Sequence, residues 1–188
     1  MGSLLIGGLI LAAVSWRMSE GRISPGLLLP LTSAILLVPL VLSGRQKTVA
    51  GEILVITAFS TLVLPLAAAC GADPTRAGWA AAVWWGSFSL GTLEVHAIKA
   101  RHKDTGRSRW TLWGSPVASA SVVALCLVGV LVLREEAGSP ALALLFPAAS
   151  ILILGFLRIH PRRLKRVGWM LVAANLVALA ILHVRPLG

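Results

Sequence analysis

The sequence predicts an all-α protein, a polytopic transmembrane helical bundle of about seven spans that forms one domain over residues 1–188. Three observations carry this expectation. Hydrophobic residues make up 57% of the chain and charged residues 13%, with a mean hydropathy of +0.87, whereas a water-soluble domain holds about 25% charged residues. The apolar residues fall in runs at or near the length of a membrane helix, and about 20 residues cross a hydrocarbon core of about 30 Å. The bases, which set the net charge at +10 from 17 Lys+Arg against 7 Asp+Glu, are gathered in the short stretches between those runs. A globule of this size cannot hide so much apolar surface from water, so lipid is the solvent for much of it.

The first run, roughly Ser3 to Trp16, is short, lacks a positive n-region and is not followed by a clear cleavage site, so it reads as an anchor rather than a signal peptide. The second, about Ser24 to Ser43, contains Pro30 and Pro39. A proline removes a backbone donor, which membrane helices tolerate when neighbours re-satisfy the freed carbonyl. The third runs about Gly51 to Cys70 with Pro65 near its far end, and the fourth about Ala77 to Ile98 with Trp79, Trp84 and Trp85. The fifth (about Pro116 to Leu133), sixth (about Pro140 to Leu157) and seventh (about Val167 to Leu182) follow. Six spans, with the first run peripheral, is the alternative count. The runs lack the period-2 alternation of a membrane β-barrel, and no internal repeat or low-complexity linker interrupts them.

Orientation follows from the bases. With the N-terminus inside, the cytoplasmic loops take Arg45 and Lys47, then Lys99, Arg101, Lys103, Arg107 and Arg109, then Arg158, Arg162, Arg163, Lys165 and Arg166, which is 12 of the 17. Arg17, Arg22, Arg76, Arg134 and Arg185 fall outside, together with Glu20, Asp73, Glu135 and Glu136. Cytoplasmic loops carry the excess of Lys and Arg, so the sequence predicts a multi-pass protein of the cytoplasmic (inner) membrane with N-terminus in and C-terminus out. Trp110 and Trp113 fall between the central basic loop and the fifth span, at the interface where indole rings settle. The same distribution argues against nucleic acid as a partner. The bases are accounted for as topology signals and as contacts to anionic headgroups of membrane lipids.

Few residues are placed to carry chemistry. Glu52 enters the first turn of the third span just after Arg45 and Lys47. A carboxylate there is favoured by the helix dipole by about 0.3–1 kcal/mol, and the two bases are near enough in sequence to neutralise it. Its functional reading is a ligand for a headgroup or cation at the cytoplasmic mouth of a cavity. Thr57, Ser60 and Thr61 follow on one face, either as a polar lining or bonded back to carbonyls. Glu94 and His96 are the ionisable residues placed deepest in a span, where a charge is costly and marks a candidate site. They lie two residues apart, about 200° around a helix, and so do not share a face. Glu94 is placed to pair at the interface with Lys99 or Arg101, while His96 aligns with Thr92 and Ser89 as one polar stripe toward the bundle interior.

Gly78, Ala82 and Gly86 recur every four residues, which lets a second helix approach closely, within this chain or in a homo- or hetero-oligomer. Asn175, alone in the seventh span, predicts an interhelical hydrogen bond. The cluster Arg162, Arg163, Lys165 and Arg166 could hold a lipid phosphate, although the topology bias already explains it. Cys70 and Cys126 have no CxxC or Cys/His spacing, so neither a disulfide framework nor a zinc site is expected. Cys126 reads as a small packing residue. The only aspartates, Asp73 and Asp104, fall in predicted loops. No DxxxD or NxxxD motif exists to hold Mg²⁺ and a diphosphate, and no Walker loop, GxSxG, HExxH or paired haem histidines occur. The sequence thus predicts no catalytic residues, no metal and no cofactor.

From about Gly26 to Lys103 the chain resembles the YwiC-like family of bacterial integral membrane proteins. The resemblance rests on GLLLPLTSAILLVPLVLSGRQKTVAGEILVITAFSTLVLPLAAACG, with its basic loop, GE pair and proline-ended helix, and on the tryptophan-rich helix that runs into EVHAIKARHK. PRRLKRVGWMLVAANLVALAIL is similar to that family's C-terminal end. The resemblance implies a multi-spanning helical protein without an assigned activity. The family typically opens with an EHGxW-type motif and extra helices, and this chain, lacking both, is expected to be N-terminally short. Its helix layout also distantly resembles UbiA-type prenyltransferases, without the aspartate-rich motifs that define their chemistry. The readings that follow are a small-molecule or lipid binding or transport bundle, a degenerate prenyltransferase-like enzyme, or a structural membrane subunit.

Overall fold

The structure, a computed structural model, describes residues 25–102, 109–132, 138–157, 160 and 163–184. The run Ser3 to Trp16 and the loop residues Arg17, Glu20, Arg22, Lys103, Asp104, Arg107, Arg134, Glu135, Glu136, Arg158, Arg162 and Arg185 lie outside the described residues. Among the described residues every element is a helix. In chain order these are α1 (Pro25–Leu42), α2 (Val49–Thr61), α3 (Val63–Ala69), α4 (Pro74–His102), α5 (Arg109–Val132), α6 (Gly138–Phe156) and α7 (Leu164–Val184).

The local sequence explains where each helix begins and stops. In α1 the hydroxyls of Thr32 and Ser33 donate to the carbonyls of Leu28 and Leu29, a local partner that an apolar surround otherwise denies them. The helix ends at Gly44, whose φ of 69° is the left-handed conformation that glycine adopts without penalty. Gly44 N–H donates to Val41 O and Arg45 N–H to Leu40 O, the paired bonds that close a helix C-terminus. Gly71 ends α3 in the same way, with bonds from Gly71 to Ala68 and from Ala72 to Ala67.

Thr48 caps α2, its hydroxyl accepting from Gly51 N–H at 3.2 Å. The predicted third span divides into α2 and α3 at Leu62, where the backbone bond shortens to Leu62 N–H→Phe59 O. Pro65 is the cause: its ring cannot donate to Thr61 and crowds that carbonyl, which bends the helix one turn upstream. Asp73 caps α4 by accepting from Thr75 and Arg76 N–H, each at 3.1 Å, and Pro74 occupies the first helical position, where no donor is needed. Lys99, Arg101 and His102 fall in the last turn of α4, facing the negative end of its dipole. Helix α5 starts at Arg109, so Trp110 and Trp113 lie within a helix and not ahead of it.

Helix α4, 29 residues and about 43 Å long at about 1.5 Å per residue, is the axis of the bundle. It touches α2 and α3 on one side and α5, α6 and α7 on the other, while α1 packs on α2 and α3. Three packed layers repeat along it about two turns apart: Val83 with Ala143 and Ala178, Leu90 with Ala148 and Ile151, and Ile98 with Leu154 and Val167. Alanine supplies the facing residue in the first two layers. Between helices in lipid the attraction is packing and hydrogen bonding, and small residues let backbones close in. Leucines and aromatics such as Leu42, Phe156 and Trp169 point outward.

Three helical stretches are long and apolar enough to cross a membrane: Val49–Ala69, Ser139–Phe156 and Leu164–His183. Gly26–Leu42 and Pro116–Leu131 are shorter apolar helices. Helix α4 is long enough but carries Ser87, Ser89, Thr92, Glu94 and His96 along its length. A helix covered by neighbours on several sides has no need to be apolar all round.

Candidate functional site

Antiparallel passage of the helices brings the start of α2, the end of α4, the end of α6 and the start of α7 to one end of the bundle. Arg45, Lys47, Lys99, Arg101, Arg163, Lys165 and Arg166 all lie at this basic end. So do the candidate acidic residues, and the structure separates them into two unlike pairs.

The first pair joins α2 to α4. Glu52 Oε2 lies 3.0 Å from His96 Nε2, with the side chains 36% and 22% exposed. Glu52 therefore finds its partner across helices; Arg45 and Lys47, expected as its neutralising bases, are exposed in the loop. That loop is held by backbone geometry. A Cβ on Gly51 would stand 2.7 Å from Gln46 O and 2.9 Å from Arg45 O, so only glycine lets these carbonyls close over the first turn of α2.

The second pair lies on the other face of α4, toward α6. Glu94 is fully buried, and its Oε1 accepts from Arg101 Nη2 at 2.8 Å. Arg101 also donates through Nη1 to Gly155 O at 3.2 Å, at the end of α6, where free carbonyls and the helix dipole favour a cation. Of the two bases placed to pair with Glu94 at the interface, Arg101 is the one that does; it folds back two turns to reach a carboxylate that is buried, while Lys99 stays exposed. The separation of Glu94 and His96 to different faces is as their spacing predicts.

The hydroxyls divide between glue and lining. Thr57 donates to Ile53 O at 2.8 Å and accepts from Trp85 Nε1 of α4 at 2.9 Å, and Thr61 donates to Thr57 O; these two hydroxyls of the stripe on α2 are engaged in bonding, and Ser60 is buried. Ser87 Oγ donates to Asn175 Oδ1 at 2.8 Å, tying α4 to α7, and Asn175 Nδ2 donates to Leu171 O. Of the stripe aligned with His96, Ser89 is buried without a hydrogen-bond partner and Thr92 is half-buried. Of the small residues on α4, Gly86 packs against the Leu144 side chain of α6, whereas Gly78 has open space around it and Ala82 is exposed.

Among the described residues α2 and α7 do not touch, and the gap between them over α4 is a groove of about 310 Å³. Its polar lining is Glu52, Ser87, Thr92 and Asn175, and its apolar lining includes Phe88, Val95, Leu171 and Val172. It runs from the middle of the bundle, at the Ser87–Asn175 bond, to Glu52 at the basic end. No family model matches the chain, and no curated protein or solved structure does either.

Sequence reasoning named Glu52, His96 and Asn175 but missed that the first two meet, and it missed Ser87, Phe88 and Val95 as groove residues. The signal for the first was present. A residue in the opening turn of one span and a residue near the closing end of the next antiparallel span share a depth. Sequence position left Glu94's partner as Lys99 or Arg101, and the seven-residue interval that puts Glu94 and Arg101 on one face is the signal that separates them. His102 and His160, whose rings meet edge to face at 4.4 Å, drew no notice because they lie 58 positions apart. Among the described residues, no group of three His, Cys, Asp or Glu side chains could hold a metal ion.

Proposed function

We propose that this chain is a polytopic, YwiC-like protein of the bacterial cytoplasmic membrane, with seven spans, N-terminus in and C-terminus out, that holds a lipid or small molecule in the groove between α2 and α7. The observation that carries the reading is the groove itself. It has apolar walls, three uncharged polar side chains, and at its basic end a carboxylate whose ion-pair partner among the described residues is an imidazole from α4. Binding sites have this constitution, mostly apolar with a few convergent polar groups. Arg45 and Lys47, exposed in the loop before α2, would contact anionic headgroups at the membrane surface rather than in the groove.

Native mass spectrometry of the protein extracted gently with its lipids tests this. A bound molecule that survives activation in the wild type and is lost from Glu52→Gln and His96→Ala supports the reading. Equal retention in all three proteins sinks it. The exposed Ala82 and the open space at Gly78 support a second reading, a structural subunit in which a partner's helix lies along this part of α4. A stoichiometric partner that dissociates on Gly78→Leu would favour that one.

A further inference from the structure

The walls of the groove have a definite chemical sign. Among the described residues the Glu52 carboxylate is the one formally charged group in its lining. Ser87 commits its proton to Asn175 at 2.8 Å, which leaves its oxygen lone pairs as acceptors. Thr92 lines the same wall, and unlike Thr32, Ser33, Thr57 and Thr61 it does not return its hydroxyl to a carbonyl one turn back. Among the described residues no cationic side chain lines the groove to answer an anion.

We propose that the groove takes a single-chain amphiphile with a cationic amine head. This rests on the reading of the groove as a ligand site. The ammonium sits on Glu52 at the basic end, and the hydrocarbon lies along Phe88, Val95 and Val172 toward Asn175. An ammonium donating to a carboxylate forms a charge-assisted hydrogen bond, about twice the strength of a neutral one, and an anionic head would meet only Glu52.

The same carboxylate oxygen that would accept from the ligand lies 3.0 Å from His96 Nε2. The ammonium and the imidazole would share that oxygen. Arg45 and Lys47 before α2, Lys99 on α4, and Lys165 and Arg166 on α7 are exposed bases outside the groove's lining. Glu94 is on the opposite face of α4 with Arg101, and α1 and α3 contain no ionisable side chain.

The test uses the full chain in nanodiscs of phosphatidylcholine, with a fluorescent single-chain primary amine and the alcohol and carboxylic acid of equal chain length. Binding is read above that of empty nanodiscs. The expected result is binding of the amine about tenfold tighter than the alcohol. Glu52→Gln should abolish the preference and Glu52→Asp should retain it, which separates loss of charge from misfolding. Equal binding of amine and alcohol overturns the charge assignment but leaves the groove a ligand site. Binding of none of the probes overturns the ligand-site reading as well, and points to a groove filled by another helix or a second copy.

Discussion

Gly51 and Arg101 show how single residues hold this end of the molecule. The carbonyls of Gln46 and Arg45 approach Gly51 so closely that any Cβ must displace backbone. Gly51→Ala is expected to cost about 1–3 kcal/mol, the usual penalty of overpacking, despite alanine's better helix propensity. Gly78→Ala, with nothing nearby, is the control and should be neutral or stabilising. Thermal unfolding of both variants in the same detergent checks the pair. Arg101 neutralises a carboxylate that has no exposure at all. Arg101→Met removes that counterion from the buried carboxylate and should destabilise by about 3–5 kcal/mol, whereas Glu94→Gln combined with Arg101→Met should recover much of the loss. If the single and double variants unfold at the same temperature, the pair has no such role.

At the scale of the helices, the contacts between α4 and its neighbours are short polar links set among small residues. Ser87 and Asn175 form one such link. Their coupling in a double-mutant cycle with alanine is expected at about 0.6 kcal/mol and no more than about 1.7, the range found between membrane helices; a coupling of zero would mean the two side chains do not share a bond. Helix limits were largely legible in the sequence, because the apolar runs end at a Gly with a left-handed backbone (Gly44, Gly71) or begin after a capping Thr or Asp (Thr48, Asp73). The break at Leu62 was foreshadowed by Pro65. What the sequence could not show is which faces meet. His96 and Glu52 are 44 residues apart, and their pairing depends on the rotation of α4 against α2, which no local pattern encodes. The start of α5 was placed late because Pro116 was read as a first residue, when the preceding turn of Trp and Thr also takes helical form.

For the whole molecule, alternation of direction sends the basic loops to one end and leaves Cys70, an exposed free thiol, at the other. In intact cells a membrane-impermeant maleimide should label Cys70, and should label Arg45→Cys in a Cys70→Ser background only after permeabilisation. The reverse pattern would invert the proposed orientation. Cys126, buried in α5, should stay unlabelled in both. The apolar runs made an all-helical architecture legible from composition alone. The span count was less so, since α4 is too polar to register as a membrane crosser although the other helices gather round it.

Glu94 and Arg101 belong to one helix, two turns apart, and this bears on how the chain is made. In the proposed membrane topology an ionised side chain within a span is costly. Because α4 brings its own counterion, the pair can close as soon as the helix itself forms, during synthesis and before α6 has emerged. The arrival of Gly155 then adds a second acceptor to a guanidinium that is already neutralised. The order of synthesis therefore does not require that carboxylate to wait for a counterion from a later part of the chain.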